Sequence, residues 1–255
     1  MTGMYEAFLA ALQFLTRIRL GEREYSPAAW RRGVAFFPFI GLVLGIIIAG
    51  AWEVSGYLVP AAARAGFTLA LAVFLSGGLH LDGFIDSMDG FFSGRGRERM
   101  LAIMKDSHVG AHGVTAVVTL LVVKYSLITS VPPGKLWLAG LSLPPALVLA
   151  PLLSRWAMVP ALTLFPYVRR EGLGTLFGAG GGRPALGVAT AIAILLSWLA
   201  AGPAGVVLLF LTGLLTLGWC LRVSRLLGGL TGDTYGALAE ITEVFVLAAC
   251  LFWPW

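Results

Sequence analysis

Residues Val34–Trp52, V-A-F-F-P-F-I-G-L-V-L-G-I-I-I-A-G-A-W, form a run of 19 positions without one charged side chain. A helix rises about 1.5 Å per residue, so about 20 such residues cross the hydrocarbon core of a bilayer. Charged residues make up only 12% of the 255-residue chain. Soluble domains carry about 25%, so this chain cannot cover itself with polar side chains. We therefore expect a membrane protein.

Further apolar runs follow the first along the chain. They are Ala65–Leu81, Val109–Val131, Leu136–Leu164, Ala185–Ala201, Ala204–Leu221 and Ala237–Trp255. Their lengths predict an all-α fold, a polytopic integral membrane helical bundle with six to eight transmembrane helices. Short segments of alternating hydrophobicity, which β-barrel strands would show, do not occur. Leu136–Leu164 is too long for one plain span and contains four prolines, which predict a broken helix.

The whole chain, residues 1–255, is expected to form a single membrane domain. Within it, residues 1–33 are expected to form an interfacial N-terminal segment. Glu6–Ile18 has the pattern of an amphipathic helix that lies on the membrane surface. The two cysteines, Cys220 and Cys250, lie in separate apolar runs, so they predict neither a disulfide framework nor a metal site.

The distribution of basic residues predicts the orientation. If the N-terminus is cytoplasmic, fourteen basic residues fall in cytoplasmic segments: Arg17, Arg19, Arg23, Arg31, Arg32, Arg95, Arg97, Arg99, Lys105, Arg169, Arg170, Arg183, Arg222 and Arg225. The opposite side has only Arg64 and Lys135. This asymmetry is a strong positive-inside signal, and it explains the net charge of +5 without a nucleic-acid partner. The acidic motifs described next then lie on the cytoplasmic side.

One acidic motif, G-L-H-L-D-G-F-I-D-S-M-D-G, interrupts this apolar chain at Gly78–Gly90. Asp82, Asp86 and Asp89 stand at i, i+4 and i+7, so a helix would place them on one face. Like charges at that spacing repel, and no lysine or arginine stands among them. Mg²⁺ prefers carboxylate oxygens and commonly shares its shell with substrate phosphates. Ionisable residues in a membrane protein are functional by default, so the motif predicts a metal site rather than a solvated acidic loop.

A second motif, M-K-D-S-H-V-G-A-H-G, starts at Met104 and leads into the third apolar run. Lys105 can neutralise a phosphate. Asp106 and the serine after it can join a metal shell or simply cap the following helix. His108 and His112 are four residues apart, which is a weak metal signal without a third ligand.

The last apolar run is preceded by Asp233 and contains Glu240 and Glu243. Carboxylates at that depth need a partner, which can be a metal cation, Arg155 or Lys124. A buried ion network that supports the fold therefore stays open as an alternative to a metal role.

Four basic residues follow the first acidic motif closely: Arg95, Arg97, Arg99 and Lys105. Their charge suits a diphosphate, and they could clamp one electrostatically. Anchoring of the cytoplasmic face is the alternative for each of them.

Several motifs together resemble one known family. They are G-G-L-H-L-D-G-F-I-D-S-M-D-G-F-F-S-G-R from Gly77, M-K-D-S from Met104, L-T-G-D-T-Y-G-A from Leu230, F-L-T-R from Phe14, F-P-F-I-G from Phe37, S-R from Ser154 and Y-V-R-R-E-G-L-G from Tyr167. In order and spacing they resemble cobalamin synthase, the adenosylcobinamide-GDP ribazoletransferase family, over nearly the whole chain. The family usually has arginine where this chain has His108.

The resemblance implies an activity and its substrates. Adenosylcobinamide-GDP would react with α-ribazole or its 5′-phosphate to give adenosylcobalamin or its 5′-phosphate and GMP, with Mg²⁺ as cofactor. The protein would act in the cell inner membrane, with its site facing the cytoplasm. A lipid bilayer is then a partner, nucleic acid is not, and a homo-oligomer stays open.

This chemistry assigns roles to the candidate residues. The expected metal ligands are Asp82, Asp86, Asp89, Asp233 and Glu240. Asp106 or Asp233 would accept the proton of the attacking hydroxyl, and the choice between them stays open. Lys105, Arg95, Arg155 and His108 would contact phosphate.

Two other functions compete with this interpretation. Gly78, Asp82 and Asp86 satisfy the latter part of the G-x-x-x-D-x-x-x-D signature of CDP-alcohol phosphotransferases, but the D-G-x-x-A-R part is missing upstream. A cation transporter would need polar residues across the bilayer midplane, and only Lys124 and Arg155 favour it.

Overall fold

The computed structural model describes residues 2–18, 20–21, 24–137, 140–169, 172–177 and 182–252. Arg19, Arg23 and Arg170, which contribute to the predicted orientation, lie outside these ranges. Within them the secondary structure is helical, and the only β-type pairing is an isolated bridge between Tyr167 and Leu230. The predicted all-α class is confirmed.

The helices follow one another along the chain with short connections. They are α1 (Thr2–Leu15), α2 (Pro27–Gly33), α3 (Phe37–Ser55), α4 (Ala61–Ser76), α5 (Leu79–Phe92), α6 (Arg97–Ile103), α7 (Ala111–Thr129), α8 (Pro145–Leu164), α9 (Leu173–Phe177), α10 (Gly182–Leu227) and α11 (Gly232–Leu251). A single 3₁₀ turn, Val34–Phe36, joins α2 to α3.

Five helical segments of the described chain are long and apolar enough to cross a bilayer. They are Pro27–Ser55, Ala111–Thr129, Pro145–Leu164, Gly182–Leu227 and Gly232–Leu251. A sixth candidate segment is added if the bent pair of α4 and α5 counts as one span. The protein is therefore a multi-pass membrane protein.

Helix α10 folds back on itself. Ala201 and Gly202 have non-helical backbone angles immediately before Pro203. The indole Nε1 of Trp156 donates to Thr190 at 3.2 Å, and a Cβ on Gly213 would lie 3.4 Å from the same indole ring. In one straight helix Thr190 and Gly213 would be about 35 Å apart. Its two arms therefore run side by side, as the two separate apolar runs of the sequence predict.

The helix break that we predicted in Leu136–Leu164 is wrong. Helix α8 begins only at Pro145 and continues through Pro151 and Pro160 to its end. Residues 136–137 and 140–144, which precede it, are not helical, and the 20 residues of α8 itself fit one span. The prolines are tolerated because α8 is buried against α3, α10 and α11, where neighbouring helices compensate for lost backbone hydrogen bonds.

A sharp bend instead separates α4 from α5. Gly77 and Gly78 both have positive φ angles, and the two helices meet at 91°. Glycine adopts this left-handed conformation without the steric cost that a side chain would add. Helix α5 consequently leaves the direction of α4 and packs across α11 and α7. This bend directs the first acidic motif into the bundle.

The N-terminal helix α1 is too short to be one of the spans. It packs against α2, and Ala7, Leu9, Leu12 and Leu15 are buried in that contact region. The apolar face of α1 is therefore covered by the protein itself.

Candidate active site

The site is built where α5 and α11 touch at their backbones. A Cβ on Gly83 would lie 2.8 Å from the carbonyl oxygen of Asp233, and one on Gly236 would lie 3.0 Å from that of His80. Real Cβ atoms almost never approach another atom within 3.0 Å, so only glycine at position 83 permits this contact. The approach brings the acids of α5 beside the acid that starts α11.

Three carboxylates meet at this contact. Asp82 is exposed, Asp86 is half-buried, and Asp86 is repelled electrostatically by both Asp82 and Asp233. Within the described residues, the carboxylates of Asp82 and Asp86 form no side-chain hydrogen bond or ion pair, in contrast to that of Asp233. Arg169 offsets part of this repulsion, and the negative charge that remains favours a cation or a hydrogen-bond donor supplied from outside the chain.

Arg169 neutralises the third carboxylate. Its Nη2 lies 2.5 Å from Oδ2 of Asp233 and also donates to the carbonyl oxygen of Met104 at 3.2 Å. Backbone hydrogen bonds hold the segment that carries Arg169. The N–H of Val168 donates to the carbonyl oxygen of Leu230, and the N–H of Leu230 donates to the carbonyl oxygen of Pro166. One arginine thus ties together α11, the chain after α8 and the end of α6.

A cavity of about 280 Å³ opens beside these charges. Asp82, Asp233, Arg169 and His80 contribute to its lining. Most of the remaining wall is apolar or aromatic: Phe14, Leu79, Met158, Leu162, Tyr167, Phe177 and Tyr235. The cavity therefore combines a charged part with a hydrophobic part, which is the usual make-up of a small-molecule site.

Asp89, which we predicted as a metal ligand, has a different role. Its two carboxylate oxygens accept hydrogen bonds from the backbone N–H groups of Gly110 and Gly113, each at 2.7 Å. These N–H groups belong to the first turn of α7, so Asp89 caps that helix from a distant segment. Capping by Asp106 or Ser107, the alternative that the sequence left open, does not occur.

Glu240 and Arg155, a predicted metal ligand and a predicted phosphate contact, belong to a buried ion network instead. Lys124 Nζ lies 2.5 Å from Glu240 and 2.6 Å from Glu243, and Arg155 pairs with Glu243. These charges satisfy one another inside the helix bundle, as buried charges must. The predicted alternative of a structural network is therefore confirmed for this acidic pair.

The second motif lies at the surface. Asp106 accepts a hydrogen bond from the backbone N–H of His108 at 3.0 Å, and its Oδ1 lies 2.6 Å from His108 Nδ1. These hydrogen bonds hold the pKa of the Asp106 carboxyl below its usual value. Arg95 and Lys105 are exposed, and neither of them lines the cavity. Met104 contacts Arg169, however, so Lys105 follows directly after a residue at the edge of the site.

The donor set fits a hard divalent cation only in part. Asp82 and Asp86 offer unpaired carboxylate oxygens, the ligands that Mg²⁺ prefers. In the ranges that the structure describes, no three His, Cys, Asp or Glu side chains form a complete metal-binding group.

Sequence reasoning missed the role of Arg169 and the aromatic wall of the cavity. The positive-inside pattern predicts only that Arg169, in the Y-V-R-R motif, lies on the cytoplasmic side. Tyr167 from the same motif stacks on Tyr235 from L-T-G-D-T-Y-G-A, with ring centroids 6.2 Å apart. Both motifs contain a tyrosine and a charged residue. This shared composition is the sequence signal that could have indicated that they meet at one site.

Fold and site together define a multi-pass helical membrane protein in which acidic and basic side chains share the lining of a cavity with apolar ones. Residues 7–251 match the family described as cobalamin-5-phosphate synthase. The chain belongs to this family, which confirms the resemblance seen in the sequence.

Curated relatives agree with this assignment. A protein of Desulfitobacterium hafniense (strain Y51) named adenosylcobinamide-GDP ribazoletransferase is 39% identical over 244 residues, which cover 93% of each chain. A protein of the same name from Brevibacillus brevis is 36% identical over 94% of this chain and 96% of its own. One from Escherichia coli (strain K12 / DH10B) is 36% identical over 97% of this chain and its full length. No solved structure matches the chain.

Proposed function

We propose that this chain is an adenosylcobinamide-GDP ribazoletransferase. It transfers the cobinamide phosphoryl group of adenosylcobinamide-GDP to α-ribazole or its 5′-phosphate, and GMP leaves. The names of its relatives and its family support this activity. The single observation that carries it is the backbone contact at Gly83, which brings Asp86 close to Asp82 and Asp233, the two acids that line the cavity together with Arg169.

The reaction exchanges one P–O bond for another. A ribose hydroxyl oxygen bonds to the phosphorus next to cobinamide, and the bond from that phosphorus to the bridging oxygen of GMP breaks. Catalysis of such a transfer depends on positioning and on stabilising charge, because the protein does little covalent chemistry.

Asp233 is our candidate for accepting the hydroxyl proton. It lines the cavity, whereas Asp106 does not. Its ion pair with Arg169 fixes the orientation of the carboxylate, and a fixed orientation is the first requirement of a general base. Arg169 would also stabilise negative charge on the phosphate, since a guanidinium can pair with two anionic groups.

Asp82 and Asp86 would hold Mg²⁺. Magnesium sites in phosphotransferases commonly use one or two carboxylates and complete the shell with substrate phosphates and water. When bound, the ion would neutralise charge on the diphosphate and on departing GMP. Lys105 and Arg95, exposed after the acids, would attract the diphosphate from solution.

The inner membrane is the proposed location, and the cavity would face the cytoplasm. The fourteen-to-two distribution of basic residues supports this orientation. A nucleotide-linked donor is charged, so its phosphates must reach the site from an aqueous side.

The activity is tested with the purified protein in lipid nanodiscs, adenosylcobinamide-GDP, α-ribazole and Mg²⁺. We expect GMP release that requires both organic substrates, and no CMP release from a CDP-alcohol donor. Asp82→Asn and Asp86→Asn should abolish GMP release while the protein still inserts and purifies normally. Glu53→Gln, at an ion pair with Arg64 remote from the cavity, serves as the control. Activity in both Asn variants would remove the proposed metal role.

A further inference from the structure

The apolar part of the cavity does not take part in the chemistry described above. Six of its side chains make up one wall: Phe14, Met158, Leu162, Tyr167, Phe177 and Tyr235. All six belong to one continuous hydrophobic cluster, so this wall is a part of the protein core that lines the cavity.

The wall is ordered by aromatic contacts. The rings of Phe14 and Phe177 meet edge to face at 4.8 Å between centroids. Tyr167 and Tyr235 stack nearly parallel, with 15° between their planes. Packed aromatic side chains of this kind favour a flat aromatic ligand, which gains from stacking and from edge contacts.

We propose that this aromatic wall binds the planar base of the acceptor nucleoside, with its ribose directed toward Asp82 and Asp233. This inference rests on the proposed function, because that function supplies the nature of the acceptor. α-Ribazole carries a benzimidazole base with two ring methyl groups, and it is the smaller of the two substrates.

The size of the cavity selects between the two substrates. Its volume of about 280 Å³ lies just below the range of roughly 300–1,000 Å³ that small-molecule sites span. A corrinoid joined to a nucleotide is far larger and must remain outside, with only its diphosphate reaching the charged part. The acceptor nucleoside is the substrate that this volume can hold.

The polarity of the wall distinguishes benzimidazole from guanine. A guanine edge presents several hydrogen-bonding groups, and each one buried without a partner costs about 1–3 kcal/mol. Among the six side chains of the wall, the hydroxyl groups of Tyr167 and Tyr235 are the hydrogen-bonding groups that could meet such an edge. A methylated benzimidazole edge instead matches an apolar wall, where one methyl group changes affinity by roughly tenfold or more.

Calorimetric titration of the protein in nanodiscs with each substrate alone tests this inference. Leu162→Phe adds volume at the buried wall, and Leu164→Phe makes the same change two residues later at an exposed position. We expect Leu162→Phe to weaken α-ribazole binding at least about tenfold. Its affinity for adenosylcobinamide-GDP should match wild type, and Leu164→Phe should change neither value. Unchanged α-ribazole binding in Leu162→Phe, or a loss confined to the donor, would overturn the proposal.

A second measurement needs no variant. The analogue of α-ribazole without the two ring methyl groups should bind the wild-type protein roughly 100-fold more weakly, about tenfold for each methyl group. GMP in excess should not displace α-ribazole. Equal affinity of the two nucleosides, or displacement by GMP, would contradict the assignment of the wall. Wild-type GMP release that requires both substrates would still be observed in that case, so failure of this inference is separable from failure of the proposed function.

Discussion

Gly83 of α5 and Asp233 of α11 are in backbone contact: a Cβ added to Gly83 would lie 2.8 Å from the carbonyl oxygen of Asp233 and 2.9 Å from its Cα atom. The obstructing atoms belong to the backbone, so no side-chain rotation can relieve the clash. The spacing of the two helices, and with it the distance between their carboxylates, depends on this glycine.

Gly83→Ala should therefore damage the site without removing any functional group. We expect a loss of about 1–3 kcal/mol in stability from overpacking. GMP release should fall up to about 100-fold, because a displacement of about 1 Å is enough for such a loss. Thermal unfolding and initial rates measure both effects.

Gly218→Ala is the matched control, since a Cβ there would meet no atom within 4 Å. Alanine at this helical position should leave activity unchanged and stability equal or slightly higher. Wild-type rates in Gly83→Ala would show that the helix contact does not position the acids.

Arg169→Lys should lower activity although it preserves the charge. Arg169 contacts both Asp233 and the Met104 carbonyl through its guanidinium, and an ammonium group cannot reproduce that geometry. We expect a decrease in kcat of roughly tenfold or more, measured as GMP release at saturating substrates. Arg222→Lys, on the exposed side of α10, should retain full activity. Equal kcat values for the two variants would rule out a positioning role for Arg169.

Lys124→Met should destabilise the protein strongly by leaving Glu240 short of its partner in the buried network. Loss of one member of a buried ion pair costs about 3–5 kcal/mol. The double variant Lys124→Met/Glu240→Gln removes one charge of each sign, so much of the lost Tm should return. Its KM for Mg²⁺ should equal the wild-type value, because Glu240 lies in the network. A large rise in that KM would instead make Glu240 a metal ligand.

Asp106→Asn and Asp233→Asn distinguish the two candidate general bases. We expect Asp233→Asn to lose at least about 100-fold in kcat, the usual contribution of a positioned base. Asp106→Asn should lose far less, because its side chain is exposed and does not line the cavity. The reverse order of the two effects would transfer the role to Asp106.

The pH dependence of the rate tests independently whether Asp106 is the general base. Its folded pKa lies below the usual value of about 3.9 because His108 donates hydrogen bonds to it. Because the pKa is lower in the folded protein than in the unfolded chain, Asp106 is ionised in both states above the unfolded pKa. In the folded protein it becomes protonated only as the pH falls through the folded pKa. Asp106 therefore stays ionised between pH 6 and 9, and Asp106→Asn should leave the shape of the rate profile in that window unchanged. A limb that disappears in this variant would contradict the assignment.

Labelling can test the orientation. Cys220 and Cys250 are both buried, so they give little background. Ser107 and Ser130 are exposed and flank the two ends of α7. In intact cells, a membrane-impermeant maleimide should label Ser130→Cys and spare Ser107→Cys until the membrane is opened. The opposite pattern would invert the proposed topology.

The sequence predicted the helical class and most of the spans, because apolar runs near 20 residues have few alternatives in a bilayer. It did not predict where the chain bends. The four prolines near α8 were expected to break it, yet packing against three neighbours keeps Pro151 and Pro160 inside a continuous helix. The bend falls at Gly77–Gly78, inside the apolar run Ala65–Leu81, whose hydrophobicity does not distinguish a bent pair of helices from one straight span.

The acids illustrate the same limit for the site. Helical spacing placed Asp82, Asp86 and Asp89 on one face, but it could not show that Asp89 reaches Gly110 and Gly113. Nor could spacing decide whether Glu240 meets a metal or Lys124. Those outcomes depend on which helices pack together, and that information comes only from the folded chain.

The most direct test of the account is Mn²⁺ binding, measured by electron paramagnetic resonance in nanodiscs with Mn²⁺ in place of Mg²⁺. With adenosylcobinamide-GDP present, we predict one bound ion per wild-type chain and none at the same concentration in Asp82→Asn/Asp86→Asn. Glu53→Gln should bind as wild type does. Unaltered Mn²⁺ binding in the double aspartate variant would contradict the claim that these acids hold the cation.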